Sequence, residues 1–223
     1  MTARSQTVRA YELIKSHILD LELRPGELVT EKRLTELTGC GRTPVREAMQ
    51  RLQCDGLLRV VPFRGAFVTD ISAKDVMEIS QVRELLESFA AGLAARLITP
   101  RQLEQLQALL DGLEPVQDAN PRDVFEADRA FHTIVVEASG HQRIRDIIGT
   151  LSDQIQRLRY LSTAQPERAA RAHKEHHAVA AGLLARDPEA AQAAMHVHLR
   201  HSQEVLLQLV GYQAAWEAAG NRA

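Results

Sequence analysis

The chain has 223 residues, enough for one large domain or two modest ones, and its apolar and charged contents of 45% and 25% are those of ordinary globular proteins. The formal net charge of −2 excludes a protein that holds nucleic acid by bulk positive charge. Residues 1–70 contain 11 Lys and Arg against 9 Asp and Glu, so any contact with DNA has to come from individually placed arginines.

The cysteine and hydropathy patterns predict a cytoplasmic protein without membrane contact. Cys40 and Cys54 are the two cysteines, which is no disulfide framework and suits a reducing compartment. No apolar run reaches the length of a membrane span, and the first residues lack the apolar core of a signal peptide.

The N-terminal region begins with the pattern of two helices. Apolar residues recur close to every 3.6 positions over residues 7–21, which predicts the first helix. Thr30 is a suitable N-cap for a second helix over Glu31–Thr38, because its hydroxyl can accept a hydrogen bond from the first turn. Leu34 and Leu37 are expected to point inward from this helix.

A third helix and a hairpin complete the N-terminal pattern. The helix follows a tight glycine turn at residues 39–41 and ends at Gly56. Residues 57–61 and 66–69 have the composition of short strands, and residues 62–65 between them (Pro-Phe-Arg-Gly) form the expected wing. Helix, turn, helix and hairpin in this order predict a winged helix-turn-helix, whose recognition helix enters the major groove of DNA.

The rest of the chain has helical periodicity throughout, and no strand pattern appears after residue 70. Ser72, with Asp75 three residues later, is typical of a capping box that restarts helix. The expected helices lie near residues 73–97, 100–113, 121–138, 142–163, 167–186 and 188–218. The predicted fold is mainly α, with a winged helix-turn-helix domain over residues 1–70 and an all-α helical bundle over residues 71–223.

Basic residues stand where the recognition helix begins. Arg42 and Arg46 are four residues apart and share one face of the third helix, with Thr43 beside them. An arginine can bind O6 and N7 of guanine bidentately, and basic residues on the preceding helix can hold the phosphate backbone in register. A solvated basic face is the alternative, but the whole arrangement favours DNA. The residues expected to contact DNA are Lys32, Arg33, Arg42, Thr43, Arg46, Arg64 and Gly65.

Six of the nine histidines lie between His173 and His201, and two explanations are open. They can lie on solvated helix surfaces, or several helices can direct them at one ion. Asp128 and His132 are four residues apart and share a helical face, and His198 has an inward-leaning setting on the last helix. One carboxylate with three imidazoles suits a borderline divalent ion such as Zn²⁺ or Ni²⁺, but spacing alone leaves both explanations open.

Several motifs identify the N-terminal region with a known family. Residues 41–48 read Gly-Arg-Thr-Pro-Val-Arg-Glu-Ala, and residues 55–57 and 64–68 read Asp-Gly-Leu and Arg-Gly-Ala-Phe-Val. With these motifs, residues 7–70 resemble the DNA-binding domain of the GntR family of bacterial transcription regulators. Gly41 departs from the family, which usually places a serine or threonine cap there. The resemblance implies DNA contacts from Lys32, Arg42, Thr43 and Arg46, and a wing glycine at Gly65.

Residues 72–210 resemble the FCD ligand-binding domain of FadR-type GntR regulators. The motifs are Val-Arg-Glu-Leu at 82–85, Asp-Arg-Ala-Phe-His at 128–132, Glu-His-His-Ala-Val at 175–179 and Ala-Met-His-Val-His-Leu at 194–199. The resemblance implies the metal ligands Asp128, His132, His176 and His198.

A divalent metal held by this set keeps coordination positions open, which a small carboxylate effector can fill. Arg83 is the candidate for binding the far end of that anion. The alternative for Arg83 is a structural ion pair with Glu87, four residues later on the same helix.

The leading hypothesis is a metabolite-responsive transcription regulator, more often a repressor. A homodimer would present two recognition helices to a near-palindromic double-stranded DNA operator, and a small organic acid would control operator affinity. A metal-sensing regulator and, less favoured, a metal-dependent hydrolase are the alternatives. Because the sequence offers no positioned general base with supporting residues, we expect the protein not to be an enzyme.

Overall fold

The computed structural model describes residues 3–62, 64–113, 116, 119–163 and 165–218. Phe63, part of the expected wing, lies outside the described residues. The chain divides into two compact units, Met1–Ile71 and Ser72–Ala223. Helices dominate the described residues and a small three-stranded sheet is present, so the prediction of a mainly α fold is confirmed.

The first unit has the element order of a winged helix-turn-helix. Its elements are α1 Ala3–Leu19, β1 Leu28–Val29, α2 Glu31–Thr38, α3 Arg42–Cys54, β2 Leu58–Val61 and β3 Gly65–Val68. Strand β3 lies between β1 and β2 and pairs antiparallel with both. The sequence pattern does not predict β1, because two residues are too few to show alternation. Helix α1 ends before the expected position because Leu21 has φ of +56°, which no α-helix continues through.

The core of the first unit is formed by one stripe from each helix and by the sheet. Ile14, Val45 and Leu52 are completely buried. On α2 the buried stripe passes through Leu34 and Thr38, whose hydroxyl donates to the Leu34 carbonyl oxygen at 2.7 Å. Leu37 is 40% exposed, so its expected inward orientation is wrong, since the four-residue step to Thr38 places Leu37 off the stripe.

The second unit is helical in all its long segments. Its elements are α4 Ala73–Leu97, α5 Pro100–Asp111, α6 Pro121–Ala138, α7 Gln142–Thr150, α8 Ser152–Thr163, α9 Pro166–Leu184 and α10 Pro188–Ala218. The single helix expected near 142–163 is two helices. Leu151 has φ of −100° and ψ of 6°, and its N–H bonds to the carbonyl oxygens of Ile148 and Gly149 instead of continuing the α pattern.

Capping side chains set the starts of these helices. The capping box of Ser72 and Asp75 is present, and Thr99 forms a second one with Gln102. Asp187 Oδ1 accepts from the N–H groups of the second and third residues of α10 at 3.1 Å each. These caps satisfy donors that a helix start leaves without intrahelical partners.

Small residues let the central helices of the second unit approach closely. Ala91, Ala94 and Ala95 on α4 are completely buried in the core that α9 and α10 share. A Cβ at Gly182 on α9 would lie 2.7 Å from the backbone nitrogen of Ala191 on α10, so only glycine fits. No helix in the described ranges combines the length and apolarity that crossing a bilayer requires.

Candidate nucleic-acid interface and candidate metal centre

The leading turn of α3 is exposed. Gly39 ends α2 with φ of +65°, and Gly41 begins α3 with extended backbone and no side-chain cap. Between them Cys40 is buried. Arg42 and Thr43 therefore extend from a helix start whose free N–H groups favour anions.

The two arginines of α3 differ in their partners. Arg46 forms a bidentate pair with Glu31 on α2, with Nε 2.8 Å from Oε1 and Nη2 3.0 Å from Oε2. The hydrogen bond from Arg46 lowers the pKa of Glu31. The pair is exposed and open to exchange for a phosphate or a base. Arg42 makes no ion pair with any residue that the structure describes.

The remaining residues expected to contact DNA are exposed as well. Arg33 pairs with Glu27, and Lys32 Nζ lies 4.0 Å from Glu36 Oε1. At the wing, Gly65 has φ of +108°, and a Cβ there would lie 2.8 Å from Leu28 Cδ1. Glycine at this position therefore lets β1 and β3 pair closely. The seven predicted positions are all exposed: Lys32, Arg33, Arg42, Thr43, Arg46, Arg64 and Gly65.

Three helices of the second unit bring four metal-ligand side chains together. Asp128 and His132 come from α6, His176 from α9 and His198 from α10, and one donor atom from each lies within 4.8 Å of the others. The Nε2 atoms of His132 and His198 are 3.2 Å apart, and His176 Nε2 is 3.6 Å from Asp128 Oδ1. All four side chains are buried, which excludes the solvated-surface explanation for these three histidines.

Two carboxylates orient the imidazoles of this cluster. His132 Nδ1 lies 2.6 Å from Glu87 Oε2, and His198 Nδ1 lies 2.9 Å from Glu175 Oε2. The His198 contact has hydrogen-bond geometry, whereas His132 Nδ1 and Glu87 Oε2 are in close contact without it. With the proton of each ring on Nδ1, beside the carboxylate, each Nε2 keeps a lone pair that faces the cluster. Carboxylates commonly hold metal-binding histidines in this way.

Burial and charge control the protonation of the cluster. Burial, assisted by the charge of Arg159, lowers the pKa of His132 to about 4. Burial also lowers the pKa of His176 well below its ordinary value. Although burial raises the pKa of Glu175, the hydrogen bond from His198 and the charge of Arg168 outweigh it and lower that pKa to about 2. At neutral pH the histidines are therefore neutral, which is the form that binds metals, and the Glu175 carboxylate beside His198 is ionised.

Three buried atoms of the cluster have no hydrogen-bond partner among the described residues, namely Asp128 Oδ2, His132 Nδ1 and His176 Nε2. His176 Nε2 is fully enclosed, and the ring of Phe131 stacks on the imidazole with centroids 4.1 Å apart. A buried ring nitrogen without a partner is unusual in a folded protein and calls for a water or an ion. The donor set and this atom together fit a divalent cation.

Three buried arginines surround the cluster. Arg83 Nε donates to Glu87 Oε1 at 2.6 Å, which is the ion pair that the sequence left open as an alternative. Arg159 Nε lies 3.4 Å from Asp128 Oδ2, and Arg168 Nη1 donates to Glu175 at 2.9 Å. Arg83, Arg159 and Arg168 also line a small cleft beside the cluster.

Sequence reasoning missed Arg159 and Arg168, as well as the role of Glu175. The available signal was helical spacing. Arg159 is four residues after the buried Ile155, and Arg168 is eight residues before His176, so each arginine lies on a buried stripe of its helix. An arginine on such a stripe is expected to be paired.

The other histidines lie outside the cluster of four. His173 and His177 have Nε2 atoms 3.2 Å apart on α9, and His201 Nδ1 lies 2.6 Å from Glu175 Oε1. His196 Nδ1 lies 3.4 Å from Glu84 Oε1 at a half-exposed position.

Comparison with known proteins places both units in described families. The family model "Bacterial regulatory proteins, gntR family" matches residues 6–68, and the model "FCD domain" matches residues 78–201. The HTH-type transcriptional repressor RspR of Escherichia coli (strain K12) is 30% identical over 210 residues, covering 92% of this chain and 91% of that protein. The chain belongs to the GntR family. It is a DNA-binding transcription regulator of that family with an FCD domain, and not an enzyme.

Solved structures of GntR regulators have the same architecture. The E. coli McbR/YncC structure matches with a TM-score of 0.75 at 26% identity, covering 92% of this chain and 98% of that one. A metal-free FCD domain of the protein TM0439 matches with a TM-score of 0.54 at 20% identity, covering 62% of this chain and 95% of that one, which shows a shared fold. Because the families and the curated relatives are transcription regulators, the hydrolase alternative is not retained.

Proposed function

We propose that this GntR regulator is a cytoplasmic, metabolite-responsive repressor whose operator affinity is controlled by a small carboxylate bound at a metal site. The DNA-binding domain would comprise residues 1–70, and the effector, metal and dimerisation domain residues 71–223. The observation that carries the proposal is the buried convergence of one carboxylate and three imidazoles within 4.8 Å.

Asp128, His132, His176 and His198 would hold the metal. Three imidazole nitrogens and one carboxylate oxygen suit Zn²⁺ or Ni²⁺, since both accept nitrogen and oxygen ligands of intermediate softness. When bound, the ion supplies a positive charge and open coordination positions for an anion. The protein would keep the three imidazoles neutral and Asp128 ionised, and Glu87 and Glu175 would orient the rings of His132 and His198.

Arg83 is proposed to contact the effector. Its Nε is used by Glu87, but the side chain also lines the cleft beside the cluster, where a guanidinium can offer further N–H groups to a carboxylate. Arg159 and Arg168 line the same cleft, each beside a carboxylate. These arginines offer N–H donors to a ligand, while a bound divalent ion would supply the net positive charge that favours an anion.

The exposed start of α3 is proposed to read the operator. Arg42, Thr43 and Arg46 would contact base edges, while Lys32, Arg33, Arg64 and Gly65 would contact the backbone and the minor groove. A homodimer would place two recognition helices on successive half-sites of a near-palindromic operator. RspR, the relative described above, is called a repressor, which supports repression over activation.

The metal site is tested by substituting one metal-ligating side chain at a time. His176→Ala and His198→Ala should each abolish stoichiometric metal in the purified protein, measured by elemental analysis after dialysis. His141→Ala is the matched control, because His141 caps α7 and is not part of the cluster. Full metal occupancy in both ligand variants would remove this site from the proposal.

A second candidate is a regulator that senses the metal itself, favoured by the fact that the four ligands converge without any contribution from an effector. The two functions are distinguished by whether added organic acid or added metal changes operator affinity. For the effector-controlled repressor, metal-loaded protein should change operator affinity when organic acids are added. For the sensor, operator affinity should follow free metal in the absence of any acid.

A further inference from the structure

A larger cavity lies against α6, α7 and α8 and shares residues with the cleft beside the metal cluster. Its volume is about 220 Å³, below the size of drug-binding pockets and suited to a small organic acid. His132 and Arg159 line both spaces. The cleft itself offers about 10 Å³, room for about one water molecule. An effector that reaches the cluster therefore has to place most of its atoms in the larger cavity, which we call the outer cavity.

The outer cavity has an unengaged cation. Arg129 and Arg145 both line it, together with the exposed carboxylate of Glu137. Arg129 is committed to Glu126, with Nη2 2.7 Å from Oε2. Arg145, on α7, forms no ion pair within the described ranges of the chain. Its guanidinium is therefore available to a ligand.

Charge balance at the cluster also constrains the effector. The buried arginines Arg83, Arg159 and Arg168 equal in number the carboxylates they contact, which are Glu87, Asp128 and Glu175. Arg171 also contacts Glu175, but its side chain is 52% exposed, so water screens its charge. Imidazoles that bind a metal are neutral, so the charges of the three buried arginines and the three carboxylates cancel. A divalent cation then adds two positive charges in a buried place, and such charges are costly unless they are compensated.

We propose that the effector is a short dicarboxylate, with one carboxylate at the metal and Arg159 and the other at Arg145 in the outer cavity. This inference rests on the proposed metal-and-carboxylate control and adds the charge and length of the ligand. A dianion compensates the divalent charge, and His132, Arg159 and Arg145 all line the outer cavity, so one small ligand there can lie next to the cluster and to Arg145. Arg145 then selects dicarboxylates over monocarboxylates.

The experiment compares each dicarboxylate with its own monomethyl ester, which has nearly the same shape and one charge less. Binding of malonate, succinate, glutarate and adipate and of their monomethyl esters to the full-length Zn²⁺-loaded protein is measured by calorimetry, and operator affinity by fluorescence anisotropy. At least one diacid should bind about tenfold or more tightly than its ester, as expected for a charge-assisted arginine contact.

Arg145→Gln should reduce this preference to nearly one. Arg143→Gln is the matched control, because Arg143 lies on the same helix, pairs with Asp146 and does not line the cavity. Equal binding of diacid and ester for all four pairs, or an unchanged preference in Arg145→Gln, would overturn the dicarboxylate inference and leave the proposed function standing. If neither acids nor esters bind or change operator affinity, the proposed effector control fails, and this inference fails with it.

Discussion

Arg42 and Arg46 share one face of α3 but differ in what their guanidinium groups contact. Arg46 is held by Glu31, whereas Arg42 has no ion-pair partner among the described residues. Because the Arg46 pair is exposed, water and phosphate compete with it effectively. If both arginines contact DNA as proposed, Arg46 first has to exchange its pair with Glu31 for a phosphate or a base.

Arg42→Ala or Arg46→Ala should each lower operator affinity by about 1–3 kcal/mol and relax base preference, as loss of a base contact does. Fluorescence anisotropy with operator variants at fixed salt measures both effects. Arg51→Ala is the control, because Arg51 lies in the last turn of α3 and packs over the Tyr11 ring. If Arg51→Ala lowers operator affinity while Arg42→Ala and Arg46→Ala do not, the proposal that the start of α3 enters the DNA groove is wrong.

Glu175 connects the proposed metal site to its surroundings. Its carboxylate contacts His198, Arg168 and His201, so it fixes the direction in which His198 Nε2 points. Glu175→Gln should lower metal affinity about 10–100-fold while the protein stays folded, because an amide is a weaker partner for the imidazole N–H. Competition with a chelating dye measures the affinity. Glu167→Gln, an exposed change on the same helix, should have no effect.

At the scale of secondary-structure elements, two glycines of the α2–α3 turn have different roles. Gly39 has φ of +65°, a conformation that side chains with a Cβ rarely adopt. Gly41 has φ of −68°, and a Cβ there would lie 3.7 Å from Pro44 Cδ, an ordinary contact. The turn requires glycine at the first position and tolerates other residues at the second.

Gly41→Ser should raise the free energy of unfolding of the chain by a few tenths of a kcal/mol, because the hydroxyl can cap α3. Gly39→Ser should lower it by about 1 kcal/mol, since the left-handed backbone strains a residue with a Cβ. Urea denaturation of the two variants beside the native chain measures the difference. Equal effects of the same sign would show that the backbone of the turn does not distinguish the two positions.

For the whole molecule, the buried charges couple stability to pH. His132, His176 and His198 have lowered pKa values in the folded chain, while in the unfolded chain they protonate near 6.5. As pH falls below 6.5, protons bind the unfolded chain first, so the free energy of unfolding falls. Glu87 and Glu175 act in the same direction at lower pH, because their pKa values are also lowered.

Chelator-treated protein should therefore lose stability steadily between pH 6.5 and 4. Lowering the pKa of His132 from 6.5 to about 4 contributes about 3 kcal/mol to this loss by itself. Urea denaturation at half-unit pH steps measures it, with hydrogen exchange to locate the change in residues 72–218. A free energy of unfolding that stays constant between pH 6.5 and 4 would contradict the burial of the three histidines in the folded chain.

Much of this architecture was predictable because it depends on local chemistry. The N-caps at Thr30, Ser72 and Thr99 mark the starts of α2, α4 and α5, and the predicted bounds of α2 and α4 are those of the structure. The break at Leu151 was not predictable, since apolar periodicity continues across it. Leu37 shows the same limit, because on a short helix several stripes fit the pattern equally well.

The sequence by itself determined the helical order, the caps and the spacing of Asp128 with His132, because each depends on residues within one or two helical turns. Only the tertiary structure decided that His176 and His198 meet them, that Glu87 and Glu175 orient the imidazoles, and that Arg159 contacts Glu87 from 72 positions away. Such contacts depend on how whole helices pack, and packing brings together side chains whose separation along the chain carries no periodic signal.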